Sequence, residues 1–555
     1  MQTLKTHLPE IAILFVAIFL RCWLIEIKPP HFDEGINGGF ADRMTGAGYY
    51  RYDPENYHGP LHFYAVFLSQ TLFGREVWAL RLPAILASIL AIWAMLRFRE
   101  FFGVEVARLA ALAMAVSPAF TFYGRYSIHE SWQVLFSILL LLGLLGLWQT
   151  GARKHLFLMA TGITGMILTK ETYVLHIGCM GIAATSLWIY QKMVPSSPAW
   201  PIAKQQWGRK DILLTGGISA LAIVFFYSGT FRDFSALHGL YTTFQAWTDT
   251  GTENKSGHEK PSLYWLSLMM RYEWPALIGF AACLRYVLPS DTRYRYIAVM
   301  TGGVLLAYSL IPYKTPWCLI SIIWPFYLIL AGVLSEWINL PSRNKTRIKN
   351  WLNSPHPWER FLGCNTARDK IWLTAIPLLA VSLYSAILLN FYRYTDEKEP
   401  YAYVQTHKEI ELLTGPLLKL AKTEPDGYQL SGKVRLSSTY PLSWILGDFA
   451  RVEYVPKDTK LKVWDAGFVV IQASDACEIE RELKNSYYKI PFRLRHYQQG
   501  CIAYLDAKIF SRILDGKPNF IGGNPYIIDE KPYANPVCPG CGNPECKRFK
   551  SSNPL

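Results

Sequence analysis

Apolar runs recur along this chain too often, and for too many residues each, to be the core of an ordinary soluble globule. Segments 11–27, 80–96, 106–122, 131–148, 156–168, 173–190, 212–227, 274–288, 297–311, 317–334 and 371–391 are apolar throughout, and a helix of about 20 such residues crosses a bilayer. They suggest roughly eleven membrane helices, with 156–168 short enough to move the count by one or two. Of 555 residues, 51% are hydrophobic, 15% aromatic and only 18% charged, which excludes a typical soluble enzyme. The expected fold class is therefore a polytopic α-helical membrane protein with about 11 transmembrane helices.

Basic residues concentrate in alternate connections. Arg97 and Arg99, Arg153 and Lys154, Lys192 through Lys210, Arg285 through Arg295, and the long connector holding Arg343, Lys345, Arg347 and Lys370 fall on one side. The positive-inside rule makes that side cytoplasmic, together with the amino terminus and Lys5. An odd number of spans then places everything after Phe391 outside, in an integral protein of the cytoplasmic membrane. The net charge of +14 is thus read as topology, and no nucleic-acid partner is expected. Lys5 ahead of an apolar run imitates a signal peptide, but no small-x-small cleavage site follows, so the first segment is read as an uncleaved helix.

Beyond about Thr395 charges and turn residues increase. Strand-like runs at 433–437, 450–455 and 467–472 alternate with helical patterns such as 404–422, the mark of a small α/β domain ending near Leu514. The expected organisation is a membrane domain over 1–392, an extracytoplasmic α/β domain over 393–514 and an extended tail over 515–555.

The chemistry-bearing residues lie at one membrane face. Just after the first span stands His31-Phe32-Asp33-Glu34-Gly35, two acids at a lipid surface, where charge is seldom kept without a use. The same long loop, 28–79, carries Tyr57-His58-Gly59-Pro60-Leu61-His62-Phe63-Tyr64, and its apolar stretch 61–73 reads as an amphipathic helix lying in the interface. Later loops add Arg125, His129 and Glu130, then Thr169-Lys170-Glu171-Thr172, then Pro312-Tyr313-Lys314-Thr315-Pro316-Trp317.

An Asp-Glu pair directly after the first span, a loop-borne Gly-Pro-Leu followed by aromatics, and Arg81-Leu82-Pro83 opening the second span resemble the membrane-embedded GT-C glycosyltransferases. Within that superfamily the pattern is similar to the family 39 group, which includes protein O-mannosyltransferases and lipid A aminoarabinose transferases. The Tyr-Lys-Thr-Pro-Trp run resembles a bacterial and archaeal branch labelled flippase-activity-associated. The resemblance implies transfer of a sugar from a polyprenyl-phosphate-linked donor to a protein, lipid or glycan acceptor at the outer face. It makes Asp33 the general base for the acceptor hydroxyl, with Glu34 beside it orienting the acceptor, binding a cation or raising the Asp33 pKa by like-charge proximity. The departing lipid phosphate needs cations rather than a strong acid, and Arg81, Arg125, Lys170 and Lys314 are available, the arginines being suited to a bidentate contact. His58, His129 and Glu130 complete the expected substrate-binding set. The ligand types Asp33, Glu34, His58 and His129 admit a divalent metal at the acidic site, although their spacing carries no metal signature, and the question of a metal stays open at this point.

Structural readings stand beside these. Asp33 and Glu34 are also the residues that cap a helix start. Arg125 with Glu130, and Lys170 with Glu171, are also ion pairs at helix ends, and Lys314 is also a lysine reaching for the interface. Most of the 19 Trp and 33 Tyr belong to membrane interfaces, with Tyr49, Tyr50, Tyr52, Tyr57 and Tyr64 clustered enough for sugar stacking. A lipid flippase or transporter, and a noncatalytic subunit of a glycan assembly complex, are the alternative functions. Against transport, the charged groups sit at one face rather than at mid-membrane.

Ten cysteines sort by compartment. Cys22, Cys179, Cys283 and Cys318 read as packing residues in apolar spans, and Cys364 falls in the cytoplasmic connector. Cys477 with Cys501 is an expected disulfide outside. Cys538, Cys541 and Cys546 resemble half of a zinc ribbon, one ligand short unless His496 or a neighbouring chain supplies it, and a disulfide with a spare thiol competes with zinc.

Overall fold

The computed structural model describes residues 2–56, 58–194, 203–252, 257–287, 291–339, 367–514 and 526–527. Each of the apolar runs is helical: α1 (Gln2–Cys22), then helices Val77–Leu96, Val104–Val116 continued by Pro118–Tyr123, Glu130–Thr150, Arg153–Ile167, Tyr173–Met193, Arg209–Tyr227, Trp274–Val287, Thr292–Leu310, Leu319–Asn339 and Ala367–Ile387. Among the described residues, 6 helices are long and apolar enough to cross a membrane. The protein is thus a polytopic membrane protein, since only helices or closed barrels satisfy their own backbone in lipid.

The chain divides into two compact units. A helical unit comprises Met1–Ile27, Phe40–Tyr394 and Glu399–Tyr401, and a carboxy-terminal unit comprises Lys28–Gly39, Thr395–Lys398 and Ala402–Leu555. The segment that carries Asp33 and Glu34 therefore packs with the carboxy-terminal residues.

That unit is built on one mixed sheet. Its strands are β1 (Ser431–Arg435), β2 (Arg451–Tyr454), β3 (Phe468–Gln472), β4 (Tyr487–Phe492), β5 (Cys501–Asp506) and β6 (Tyr526–Ile527), in the order β2-β1-β3-β5-β4-β6. β1 pairs parallel with β2 and β3, while β5 pairs antiparallel with β3 and β4. β3 and β5 are buried along their whole length, as expected of strands covered on both faces. One face packs Leu413, Leu417, Val434, Phe449, Phe468 and Phe510, and the other Trp464, Val469, Ile471, Ile479 and Tyr504. The helix read over 404–422 begins only at Glu411, because Thr406 first pairs with Arg495 as an antiparallel bridge.

Cys501 carries a free, buried thiol and Cys477 is disulfide-bonded, so the expected pairing of these two does not form. Cys364, Cys538, Cys541 and Cys546 lie outside the described residues, as does nearly all of the long basic connector.

Candidate functional site

The first outer loop, where Asp33 and Glu34 also read as caps of a helix start, contains a helix, α2 (Phe32–Ala47), with both acids in its first turn. Gly35, Gly38 and Gly39 make it a poor helix by propensity. Packing supplies the reason: a Cβ on Gly35 would lie 2.6 Å from Cα of Pro441, and one on Gly38 2.4 Å from the Trp444 indole nitrogen. The glycines let the helix start lie directly against residues 440–444 of the same unit.

The two acids then diverge. Glu34 is fully buried, and its Oε2 accepts a hydrogen bond from the His31 backbone N–H at 2.8 Å. This is the returning half of a capping box, which satisfies a donor that the helix leaves orphaned. Asp33 keeps a side chain 33% exposed, with His31 Nδ1 at 3.8 Å from Oδ2. Among the described residues the Asp33 carboxylate takes no hydrogen bond. Its backbone N–H donates to His31 Nδ1 at 3.1 Å, and the His31 Nε2 lies 3.0 Å from the Tyr403 carbonyl. The ring is thereby held on both nitrogens.

Arg495 is a residue that the sequence did not single out. Its guanidinium lies 4.1 Å above the Phe32 ring. Burial pushes its pKa down while the Asp33 charge pulls it up. Nothing but the fold brings position 495 to position 33.

The remaining candidates belong to the helical unit, where the structure gives the cations other work. Arg125 and Arg81 grip the carbonyl end of α1: Arg125 Nη1 donates to Leu20 O at 3.2 Å and Nη2 to Leu24 O at 2.5 Å, and Arg81 Nη1 donates to Ile25 O at 2.6 Å. Cations at a helix carboxy terminus satisfy orphan carbonyls and oppose the helix dipole. Both are buried. Burial, followed by the neighbouring Arg81, pushes the Arg125 guanidinium down to about 9, still charged at neutral pH. The expected Arg125–Glu130 pair is absent; Glu130 instead forms a buried ion pair with Lys170. Lys170 Nζ also lies 3.6 Å from Cys318 Sγ. Burial opposes the Lys170 charge, but Cys318, Glu130 and Glu171 together hold its pKa well above the ordinary value. The Lys170–Glu171 reading is corrected likewise, since Glu171 accepts from His58 Nδ1 at 3.0 Å.

His58 and Lys170 are joined by an antiparallel bridge, and Gly59 permits it, because a Cβ there would stand 2.3 Å from the Leu168 carbonyl. The Gly-Pro-Leu motif is thus a close backbone crossing. His129 lies between His58 and His62, each ring 4.6 Å away by centroids. Burial, then the neighbouring His58, His62 and Lys170, pushes His129 well below the ordinary imidazole value. Lys314 is buried and gives its ammonium to the carbonyls of Lys260, at 3.2 Å, and Ile311. As found, then, Arg81, Arg125, Lys170 and Lys314 are cross-links of the helical unit rather than cations open to a phosphate.

The helix expected in the interface is α3 (Leu61–Phe73). Ahead of it, the aromatic cluster lines a cleft of about 610 Å³, walled by Phe40, Tyr49, Tyr50 and Tyr52 with the exposed Arg43 and Arg51. Tyr57 lies outside the described residues. Sequence reasoning also missed Glu273, a fully buried carboxylate that accepts from Ala119 N at 2.7 Å, Ser117 Oγ at 2.8 Å and Tyr327 OH at 3.0 Å. Burial pushes it up to about 7. A lone glutamate before Trp274 carries no signal that its partners are remote.

Metal-ligating side chains converge away from the acid pair. Among the described residues, one group of three, Glu397, His407 and His496, has donor atoms within 4.8 Å of one another.

Residues 57–200 match the family model described as dolichyl-phosphate-mannose-protein mannosyltransferase. No curated protein sequence matches the chain. Among solved structures, ArnT from Cupriavidus metallidurans bound to undecaprenyl phosphate aligns with TM-score 0.58 at 14% identity, covering 89% of this chain and 97% of that one. The apo form of the same enzyme aligns with TM-score 0.57 at 13% identity, covering 89% and 96%.

Proposed function

We propose that this chain, which has the fold of the GT-C glycosyltransferases, transfers a sugar from a polyprenyl-phosphate-linked donor to an acceptor at the outer membrane face. Asp33 is the base. The observation that carries the reading is the contrast inside one helical turn, where Glu34 is consumed by capping and Asp33 is left a third exposed on a backbone fixed through His31. A base must reach its proton without losing its lone pair to the protein, and that is the state of Asp33 within its unit. The fold and the family match over 57–200 support the reaction class.

In the proposed reaction, Asp33 takes the acceptor's proton as the acceptor oxygen attacks the anomeric carbon, and the lipid phosphate leaves without protonation. Glu34 is a positioning residue: it fixes the first turn and so the direction of Asp33. The positive-inside pattern places the acids and the carboxy-terminal unit outside, so a reporter active only outside the cytoplasm should work when fused after Phe391.

The test is turnover of radiolabelled polyprenyl-phosphate mannose and polyprenyl-phosphate pentose by the purified protein, read as release of free polyprenyl phosphate. Release by the wild type and its loss in Asp33→Asn support the reading. Equal release by both removes Asp33 from the mechanism.

A further inference from the structure

In the carboxy-terminal unit, two short runs meet edge to edge. Thr406 pairs antiparallel with Arg495, His407 N–H donates to Leu494 O at 3.0 Å, and His496 N–H donates to Gln405 O at 3.3 Å. Side chains alternate along extended backbone, so His407 and His496 project from one face of this strip, and Thr406 and Arg495 from the other.

The first face holds two buried imidazoles with ring centroids 4.8 Å apart. Glu397, from the run that enters the unit, brings Oε1 to 3.1 Å from His407 Nε2. The His496 ring is tied to the Thr395 backbone, and its Nε2 is buried without a hydrogen-bond partner among the described residues. A ring fixed by backbone on one side with its other nitrogen left open is how histidine ligates metal. The opposite face seats the acid segment, with Thr406 Oγ1 donating to Pro30 O at 2.7 Å and Arg495 covering Phe32, while Gln405 Nε2 adds a bond to Pro29 O at 3.1 Å.

We propose that Glu397, His407 and His496 form a zinc-class divalent-metal site that ties the run entering the carboxy-terminal unit to the strip seating the Asp33 segment. Two imidazoles and a carboxylate, with a fourth position for water, are a complete three-residue zinc set. Bonds of about 2.0–2.1 Å at tetrahedral angles bring donor atoms to about 3.4 Å from one another. Glu397 Oε1 and His407 Nε2 already stand 3.1 Å apart, all donor atoms lie within 4.8 Å of one another, and the Glu397 side chain is 51% exposed and can adjust as the site closes on His496. The ion replaces the Glu397–His407 hydrogen bond and gives His496 Nε2 a partner. Arg493 Nη1, 3.0 Å from the same Glu397 oxygen, is the cation that the metal displaces, and it keeps Glu409 at 3.6 Å. The site stands whether or not Asp33 is the base.

The test is zinc content of the purified full chain after loading with Zn²⁺ and dialysis. A parallel variant with Cys538→Ser, Cys541→Ser and Cys546→Ser removes any zinc held by the tail. One zinc per chain is expected in that background, lost in Glu397→Ala and in His496→Ala. Glu397 lies at the surface, so Glu397→Ala should keep the circular dichroism spectrum of the wild type. Co²⁺ in place of zinc should give visible d–d bands that the same two variants lose. Asp33→Asn should retain the metal, so that failure of this site and failure of the proposed base show separately. No zinc in the background, or equal zinc in it and in both variants, overturns the proposal and leaves Glu397 and His407 a hydrogen-bonded pair.

Discussion

At the start of α2 one carboxylate is left a third exposed on a fixed backbone, whereas around Lys170 and the end of α1 every candidate cation is buried and already bonded. Both regions place ionisable groups just outside apolar helices. The difference teaches that a charge near lipid is kept for one of two reasons, to act on something else or to close the protein on itself. The cost of burying a charge makes the second reason self-consistent, because a buried charge persists only when it is paired or hydrogen-bonded.

The largest effect that could break this contrast is expected at Lys170. Removing one partner of a buried ion pair costs about 3–5 kcal/mol. Lys170→Ala should therefore unfold at much lower temperature in detergent, and Glu130→Ala should do the same. A Lys170→Ala protein of normal thermal stability that fails only in carrier binding would return Lys170 to the substrate site.

Arg125 should follow with a smaller loss. Arg125 closes the carbonyl end of α1 with two hydrogen bonds, and its removal leaves neutral carbonyls unsatisfied, at about 1–3 kcal/mol, rather than an unpaired buried charge. Arg125→Ala should lower the melting temperature, while the protein that remains folded turns over carrier normally. Reduced turnover at unchanged stability would contradict this.

Glu34 sharpens the contrast from the other side. Loss of a cap costs about 1 kcal/mol, so Glu34→Ala should loosen the first turn of α2, seen as faster amide hydrogen exchange at its start. A glutamine can still accept from the His31 N–H, since capping boxes use Glu or Gln alike. Glu34→Gln should thus be close to wild type in both exchange and turnover. Loss of turnover in Glu34→Gln would make Glu34 a catalytic carboxylate after all.

These residues also mark what could be read in advance. The apolar runs were legible because a span needs many consecutive apolar residues, and each of them is a helix. The first three strands of the carboxy-terminal sheet were legible as short strand-like runs set between turn residues and helical patterns. α2 was not, because its glycines lower helix propensity and their purpose, contact with Pro441 and Trp444, lies some 400 residues away in sequence. Pairings failed for the same reason. The sequence offered near neighbours, Arg125 with Glu130 and Lys170 with Glu171, and the fold chose Lys170 with Glu130 and His58 with Glu171. His496 was read only as a spare ligand for the tail, since nothing local announces that His407 stands beside it.

The central claim is that Asp33 is the reacting carboxylate and the buried cations are scaffold. Its most direct test is turnover of a polyprenyl-phosphate sugar by purified Asp33→Asn at saturating carrier, with thermal stability measured on the same preparation. General-base catalysis contributes about a hundredfold or more, so turnover should fall by at least that much while the melting temperature stays within a few degrees of wild type. Near-normal turnover in a folded Asp33→Asn protein would contradict the account.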